Sequence, residues 1–127
     1  METKVDIFLI VSTKTKGRIK KASYQYILAC GGHSRTGGGE LTDTTGNRLA
    51  LTCAAEALLR MTKPSMITIH TDSRYLINGC RSLHDWKKNG WGRPGGGLKN
   101  ADLWQQLDAA KKGHAIQWCF ENMDIYK

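Results

Sequence analysis

The stretch Met66–Cys80, MITIHTDSRYLINGC, decides the architecture. Met66 to Thr71 is a short apolar run rich in β-branched residues, the signature of a buried strand, and it ends at Asp72. Ser73 can cap a helix directly after it, and that helix is expected to reach Asn78 and stop at Gly79. Working upstream, Pro64 closes the clearest helix of the chain, Thr44 to Arg60, for which Asn47 is the expected N-cap. Its body, ALTCAAEALLR, is Ala- and Leu-rich, with a polar stripe of Thr52, Glu56 and Arg60 spaced by four. Glu56 and Arg60 are in the favourable i,i+4 order.

Further upstream, Val5 to Val11 (VDIFLIV) reads as a buried strand, and KTKGRIKK as a basic turn around Gly17. Ser23 to Cys30 is a second strand, and Gly31, Gly32 and His33 a tight turn. Thr36 to Thr42 is a third strand, weakened by Gly37, Gly38 and Gly39. Short turns between these three strands predict an antiparallel meander. Downstream, Leu83 to Asn89 is expected to form another short helix before the glycine-rich GWGRPGGG. Asp102 opens a helix stopped by Gly113, and Ala115 to Phe120 is a last strand. The order predicts an α/β fold: a mixed five-stranded sheet with one principal helix packed on it. With no repeats and no linker, the 127 residues are expected to form a single domain, 1–127.

Composition narrows the function. The chain is 40% hydrophobic and 24% charged, which suits a soluble globular domain. No run approaches the roughly 18 apolar residues of a membrane span, and the charged start Met1–Asp6 lacks a secretory pattern. A cytoplasmic location is the expectation, with neither a membrane nor a small-molecule cofactor as partner. Cys30, Cys53, Cys80 and Cys119 are far apart and lack C-x-x-C spacing. Reduced, partly buried thiols are the simple reading, beside disulfides or a zinc site. The net charge of +8 is clustered, at Lys14, Lys16, Arg18, Lys20 and Lys21, and again at Arg81, Lys87, Lys88, Arg93 and Lys99. Basic clusters on a small domain favour a polyanionic partner, although solvated faces are also often basic.

The segments TTGNRLAL, HTDSRYLINGC, WKKNGW, LKNADLWQQLDAA and HAIQW stand in this order from Thr44 to Trp118. Together they resemble the bacterial ribonuclease H family, which cuts RNA in RNA–DNA hybrids, over essentially the whole chain from Val5. The resemblance implies the ribonuclease H-like fold with a basic helical protrusion, and a final family helix that would lie beyond Lys127. It also implies two-metal phosphodiester hydrolysis, with two Mg²⁺ ions about 4 Å apart held by clustered carboxylates.

Carried over position by position, that metal site is depleted. Asp72 matches a family carboxylate and is the one candidate catalytic and metal-binding residue. Ile10 stands at the first-strand position and Ala50 at the main-helix position. Asp6 is four residues, roughly 13 Å, too early along its strand. Glu56 is six residues past Ala50, about 240° around the helix and 9 Å along it. Asp124 replaces the family's loop histidine, on a terminal tail expected to be mobile. Mg²⁺ binding is therefore expected to be weak or absent. Asp72 has a plainer reading as well, as a cap for the helix beginning at Ser73.

The gripping surface is better preserved. Trp86, Lys87, Lys88, Trp91, Arg93 and Lys99 match the basic, aromatic protrusion that holds the DNA strand, and Arg74 lies beside the retained Asp72. Lysine and arginine supply sequence-independent phosphate contacts and tryptophan faces can lie against sugars or bases, unless the tryptophans serve only to pack the protrusion. Thr45 and Asn100 match residues of a phosphate pocket, and Asn47 and Arg48 a loop that touches 2′-hydroxyls. Asp43 and Gly46 depart from the family pattern in that region. The expectation is a nucleic-acid-binding domain for RNA–DNA hybrid or duplex with hydrolysis impaired or lost. The alternatives are an active metal-dependent hybrid endoribonuclease that uses Asp72 with Asp124 or acids from another chain, and a non-catalytic protein-interaction module.

Overall fold

A computed structural model describes residues 3–11, 17–93 and 96–126. Lys14 and Lys16 of the first basic cluster lie outside the described residues. Strands β1 (Thr3–Val11), β2 (Arg18–Cys30) and β3 (His33–Thr45) lead into helix α1 (Gly46–Leu59). Strand β4 (Ser65–Thr71) and helix α2 (Arg74–Lys88) follow, then two-residue strands β5 (Gly92–Arg93) and β6 (Gly96–Gly97). Helix α3 (Ala101–Lys111), strand β7 (Ala115–Phe120) and a 3₁₀ turn (Met123–Tyr126) complete the order. The main sheet runs β3-β2-β1-β4-β7. Its first three strands are antiparallel, and β1–β4 and β4–β7 are parallel, which is the mixed five-stranded sheet expected from the sequence.

Period-two alternation divides the central strands. Val5, Ile7 and Leu9 of β1 and Ile67 and Ile69 of β4 are buried under the helices. Asp6, Phe8 and Ile10 project from the other face, with Thr68 and His70 of β4. Helix α1 is buried on most of its circumference, as its Ala-rich body requires: Leu49, Leu51, Ala54, Ala57 and Leu58 all reach the core.

Two glycine-containing segments depart from expectation. Strand β3 does not fade at Gly37–Gly39; it continues, and β2 with it, for 13 residues. Gly37 pairs with Tyr26 across the ladder, and a Cβ there would stand 2.4 Å from the Tyr26 hydroxyl. The missing side chains make room for two tyrosine rings, so these glycines serve packing. Likewise, Gly79 does not break α2. The expected pair of short helices is one helix of 15 residues, and Trp104 of α3 packs into the notch at Gly79, 2.1 Å from where a Cβ would be. Trp104 is fully buried, and this contact locks α3 against α2.

Gly79→Ala should therefore destabilise the fold by about 1–3 kcal/mol, because the indole cannot retreat from a filled core. Gly46→Ala, where a Cβ meets nothing within 4 Å, should be close to neutral. Urea unfolding of the two variants checks both; equal midpoints would refute the notch.

Candidate active site and nucleic-acid interface

Asp72 stands exposed immediately after β4. It is not the cap of α2. That role belongs to Ser73, whose hydroxyl accepts from Leu76 N at 3.2 Å, while Thr71 Oγ1 accepts from Ser73 N at 3.1 Å. The parallel pairing of β1 with β4 governs this end of the sheet. Ile7 pairs with Ile69 and Phe8 with His70, the last pair of the ladder, so by parity Ile10 shares the face of Phe8 and His70 at the strand end that precedes Asp72. Ile10 is 4% exposed. On the helical side, the Cys53 thiol donates to the carbonyl of Gln25, the β2 partner of Ile10. Ala50, also 4% exposed, lies one turn before Cys53. Burial pushes the Cys53 thiol up to about 12, which keeps it a neutral packing group.

Glu56 is not available at this site. Tyr24 and Tyr26 both donate their hydroxyls to its carboxylate, the latter at 3.1 Å. Arg60 Nε in turn donates to the Tyr26 hydroxyl at 3.0 Å, so the expected Glu56–Arg60 pairing runs through a tyrosine. Burial, then the hydrogen bond to Glu56, raises the Tyr24 pKa. Sequence reasoning missed this cluster; the signal was Tyr24 and Tyr26 two apart, opposite a glycine run that could receive their rings. Asp124, expected on a mobile tail, sits on a docked turn: Met123 is fully buried and the Tyr126 ring lies 4.9 Å from that of Phe8.

Mg²⁺ needs oxygen ligands, and the residues around Asp72 do not fit a two-ion centre. Ile10 and Ala50, which the resemblance sets at two of the family's carboxylate positions, are both buried and carry only hydrocarbon. Among the described residues Asp72 belongs to no group of three metal-binding side chains.

The residues of the expected binding surface divide into two sets. Thr45, Arg48 and Asn100 are brought together at the start of α1. Thr45, not Asn47, is the N-cap, its hydroxyl accepting from Arg48 N at 3.2 Å, and Asn47 is exposed. The Arg48 guanidinium donates to Asn100 Oδ1 at 3.1 Å and to both Asp102 oxygens at 3.2 and 3.0 Å. Asn100 Nδ2 and Trp104 Nε1 both donate to the Tyr75 hydroxyl. This network joins α1, α2 and α3 at one end of the sheet. The bidentate bond to Asp102 raises the Arg48 pKa, and the same bond lowers that of Asp102.

The second set is the protrusion. Trp86 packs edge-on against Trp104, centroids 5.2 Å apart, and Trp91 is partly buried against the core as well. Both tryptophans thus have a structural task. Lys87 pairs with Asp108 of α3 at 3.3 Å. Lys88 and Lys99 are exposed. Arg74, also exposed, lies 4.3 Å over the Phe120 ring. The Arg93 side chain lies outside what is described.

Fold and site together define the ribonuclease H class of α/β proteins. A family model described as RNase H matches residues 10–120, and the chain belongs to that family. It is 51% identical to Ribonuclease H of Paracoccus denitrificans over 86 residues, 64% of this chain and 53% of that protein. Ribonuclease H of Thiobacillus denitrificans is 36% identical over 117 residues, 88% of this chain and 77% of that one. The crystal structure of LC9-RNase H1, a type 1 RNase H with the type 2 active-site motif, superposes with a TM-score of 0.79 at 29% identity. It covers 96% of this chain and 64% of that one. The chain spans about half the length of curated relatives it matches, as with the 53% in Paracoccus. No helix among the described residues is long and apolar enough to cross a membrane.

Two outcomes test the α1 network. Thr45→Ala should cost about 1 kcal/mol through loss of the cap, and Asn47→Ala close to nothing, by thermal unfolding. The Arg48–Asp102 pair is exposed, so its worth is well under 1 kcal/mol. Because the folded carboxyl pKa is depressed, that contribution is present above the unfolded value of about 3.9 and is lost as pH falls through the folded value. The stability of Arg48→Ala should thus converge on that of the native protein at the acid end of a pH series.

Proposed function

We propose that residues 1–127 act as a single cytoplasmic nucleic-acid-binding domain of ribonuclease H type, for RNA–DNA hybrid or duplex, in which phosphodiester hydrolysis is impaired or lost. The observation that supports this reading is the buried isoleucine at position 10, which the resemblance aligns with a family carboxylate and which follows the β1–β4 register ending at Phe8 and His70. Removing metal ligands removes most of the electrostatic stabilisation of the charge that develops on the transferring phosphoryl group. Asp72 is retained without the company that would let it act.

Binding needs none of those acids. The net charge of +8 and the exposed Lys88, Lys99 and Arg74 favour phosphate contacts that are insensitive to sequence. Lys87 belongs to the same surface, and the resemblance assigns Arg93 to it as well. Asn47 stands free at the start of α1 to hydrogen-bond a sugar edge, and Thr45, Arg48 and Asn100 beside it form a polar shelf braced from below by Tyr75. Trp86 and Trp91 shape the protrusion, and their exposed edges offer a face for the backbone.

Fluorescence anisotropy with a labelled hybrid should show affinity that falls steeply between low and high salt. The double variant Lys88→Ala/Lys99→Ala should flatten the slope of log K against log salt by about 1 per lysine. Incubation of the same hybrid with Mg²⁺ or Mn²⁺ should leave it uncut. Salt-independent binding, or none, overturns the binding half. Cleavage that Asp72→Asn abolishes overturns the catalytic half and establishes an active endoribonuclease.

A further inference from the structure

The second half of β4 and the end of β7 bring together three residues that the ribonuclease reading does not use. His70 pairs with Cys119 in the β4–β7 ladder, so both side chains project from the sheet face opposite the helices. Glu121 follows β7 and is fastened by its backbone N–H to the carbonyl of Thr71 at 3.0 Å. Its carboxylate then meets the other two: Glu121 Oε2 is 3.2 Å from His70 Nδ1 and accepts from Cys119 Sγ at 3.5 Å. All three ligand atoms lie within 4.8 Å of one another.

These separations are those of a coordination shell. Zinc bonds of about 2.1 Å to nitrogen and oxygen and about 2.3 Å to sulfur, at tetrahedral angles, place N and O about 3.4 Å apart and S and O about 3.6 Å apart. The far side of the imidazole is also prepared. His70 Nε2 is 2.9 Å from Asp6 Oδ1, and Phe8 stacks on the ring at 4.4 Å with planes 12° apart. A ring that donates Nε2–H to Asp6 presents the Nδ1 lone pair toward Glu121 and Cys119, where a metal ion between the three groups can take it.

We propose that His70 Nδ1, Cys119 Sγ and Glu121 Oε2 form a three-ligand site for a borderline-soft divalent cation of the zinc class, with Asp6 orienting the imidazole from behind. The carboxylate–histidine–metal arrangement fixes the ring tautomer and raises the basicity of the ligating nitrogen. On binding, the Cys119 S–H bond breaks, its proton passes to solvent, and the thiolate's lone pair forms the bond to the ion. Water fills the fourth position. The nitrogen and sulfur donors select against Mg²⁺, so this site is chemically separate from the one at Asp72. It would tie β4 to β7 and hold the 3₁₀ turn in place, since Tyr126 donates to the other Glu121 oxygen at 3.3 Å.

The test is a Co²⁺ titration of the metal-free, reduced full chain. One equivalent should bring up a near-ultraviolet thiolate-to-cobalt charge-transfer band with visible d–d bands, and Zn²⁺ should abolish both. Cys119→Ser should lose the charge-transfer band, and Asp6→Asn should weaken Zn²⁺ affinity about 10- to 100-fold. A native protein without the band, or a band that survives Cys119→Ser, overturns the proposal. In the unaltered chain Zn²⁺ should also slow iodoacetamide alkylation of Cys119 while that of Cys30 is unchanged, read by peptide mass spectrometry. Equal Cys119 rates with and without Zn²⁺ overturn it as well, whatever the folding of the variants.

Discussion

The parallel pairing of β1 with β4 is the constraint on which the other features depend. Its register, Ile7 with Ile69 and Phe8 with His70, determines which side chains share a face and which stand side by side. A slip of one residue would turn Ile7 and Ile69 outward and bring Asp6 and His70 under the helices. The burial of both isoleucines against α1 excludes that slip, since each fully buried side chain of this size is worth roughly 1.5–3 kcal/mol. With the register held, Phe8 is placed beside His70, and Asp6 reaches the far side of the same imidazole. The packing of one face therefore specifies the chemistry of the other.

How much of this was legible in the sequence depends on the range of the interaction. Strands β1, β4 and β7 were readable because a β-branched run needs no distant partner to announce itself. Gly79 was misread as a helix stop and Gly37 as a weak point of its strand because the reason for each glycine is a ring more than ten residues away. Trp104 fills one notch and Tyr26 the other. The cap of α1 was misplaced by two residues for a related reason. Asn47 and Thr45 are both good caps in isolation, and β3 extends to Thr45, which leaves the helix to begin at Gly46. The retained Asp72 and the apolar Ile10 and Ala50 could be found by position along the chain. The grouping of His70, Cys119 and Glu121 could not, because two of its members are some fifty residues from the third and only strand pairing joins them.

Charge on the expected binding surface is less uniform than a net +8 suggests. Arg48 is neutralised by Asp102, Lys87 by Asp108 and Lys21 by Glu40, in pairs between 3.0 and 3.4 Å long. These pairs are surface-exposed on at least one side and contribute little to stability. Their effect on an incoming phosphate is larger, because each carboxylate cancels most of the field of its partner at distances beyond a Debye length of about 8 Å. The long-range attraction then rests on cations such as Lys88, Lys99 and Arg74. Arg48 instead acts at short range, holding Asn100 and the start of α3 against the start of α1.

Two kinds of donor group thus lie at the same end of β4, two residues apart and distinguished by their chemistry. Asp72 offers a hard oxygen ligand at the exposed end of β4, the donor type that suits a cation that keeps its water tightly. Two residues earlier in the same strand, His70 faces a thiol and two carboxylates, a donor set that rewards a softer cation willing to shed water. His70 and Asp72 belong to the same face by parity, so the strand that carries the family's carboxylate also positions the imidazole. The fold holds His70 through Phe8 stacking and the Asp6 bond, not through anything at position 10 or 50. The two sites can therefore vary independently although one strand supports both.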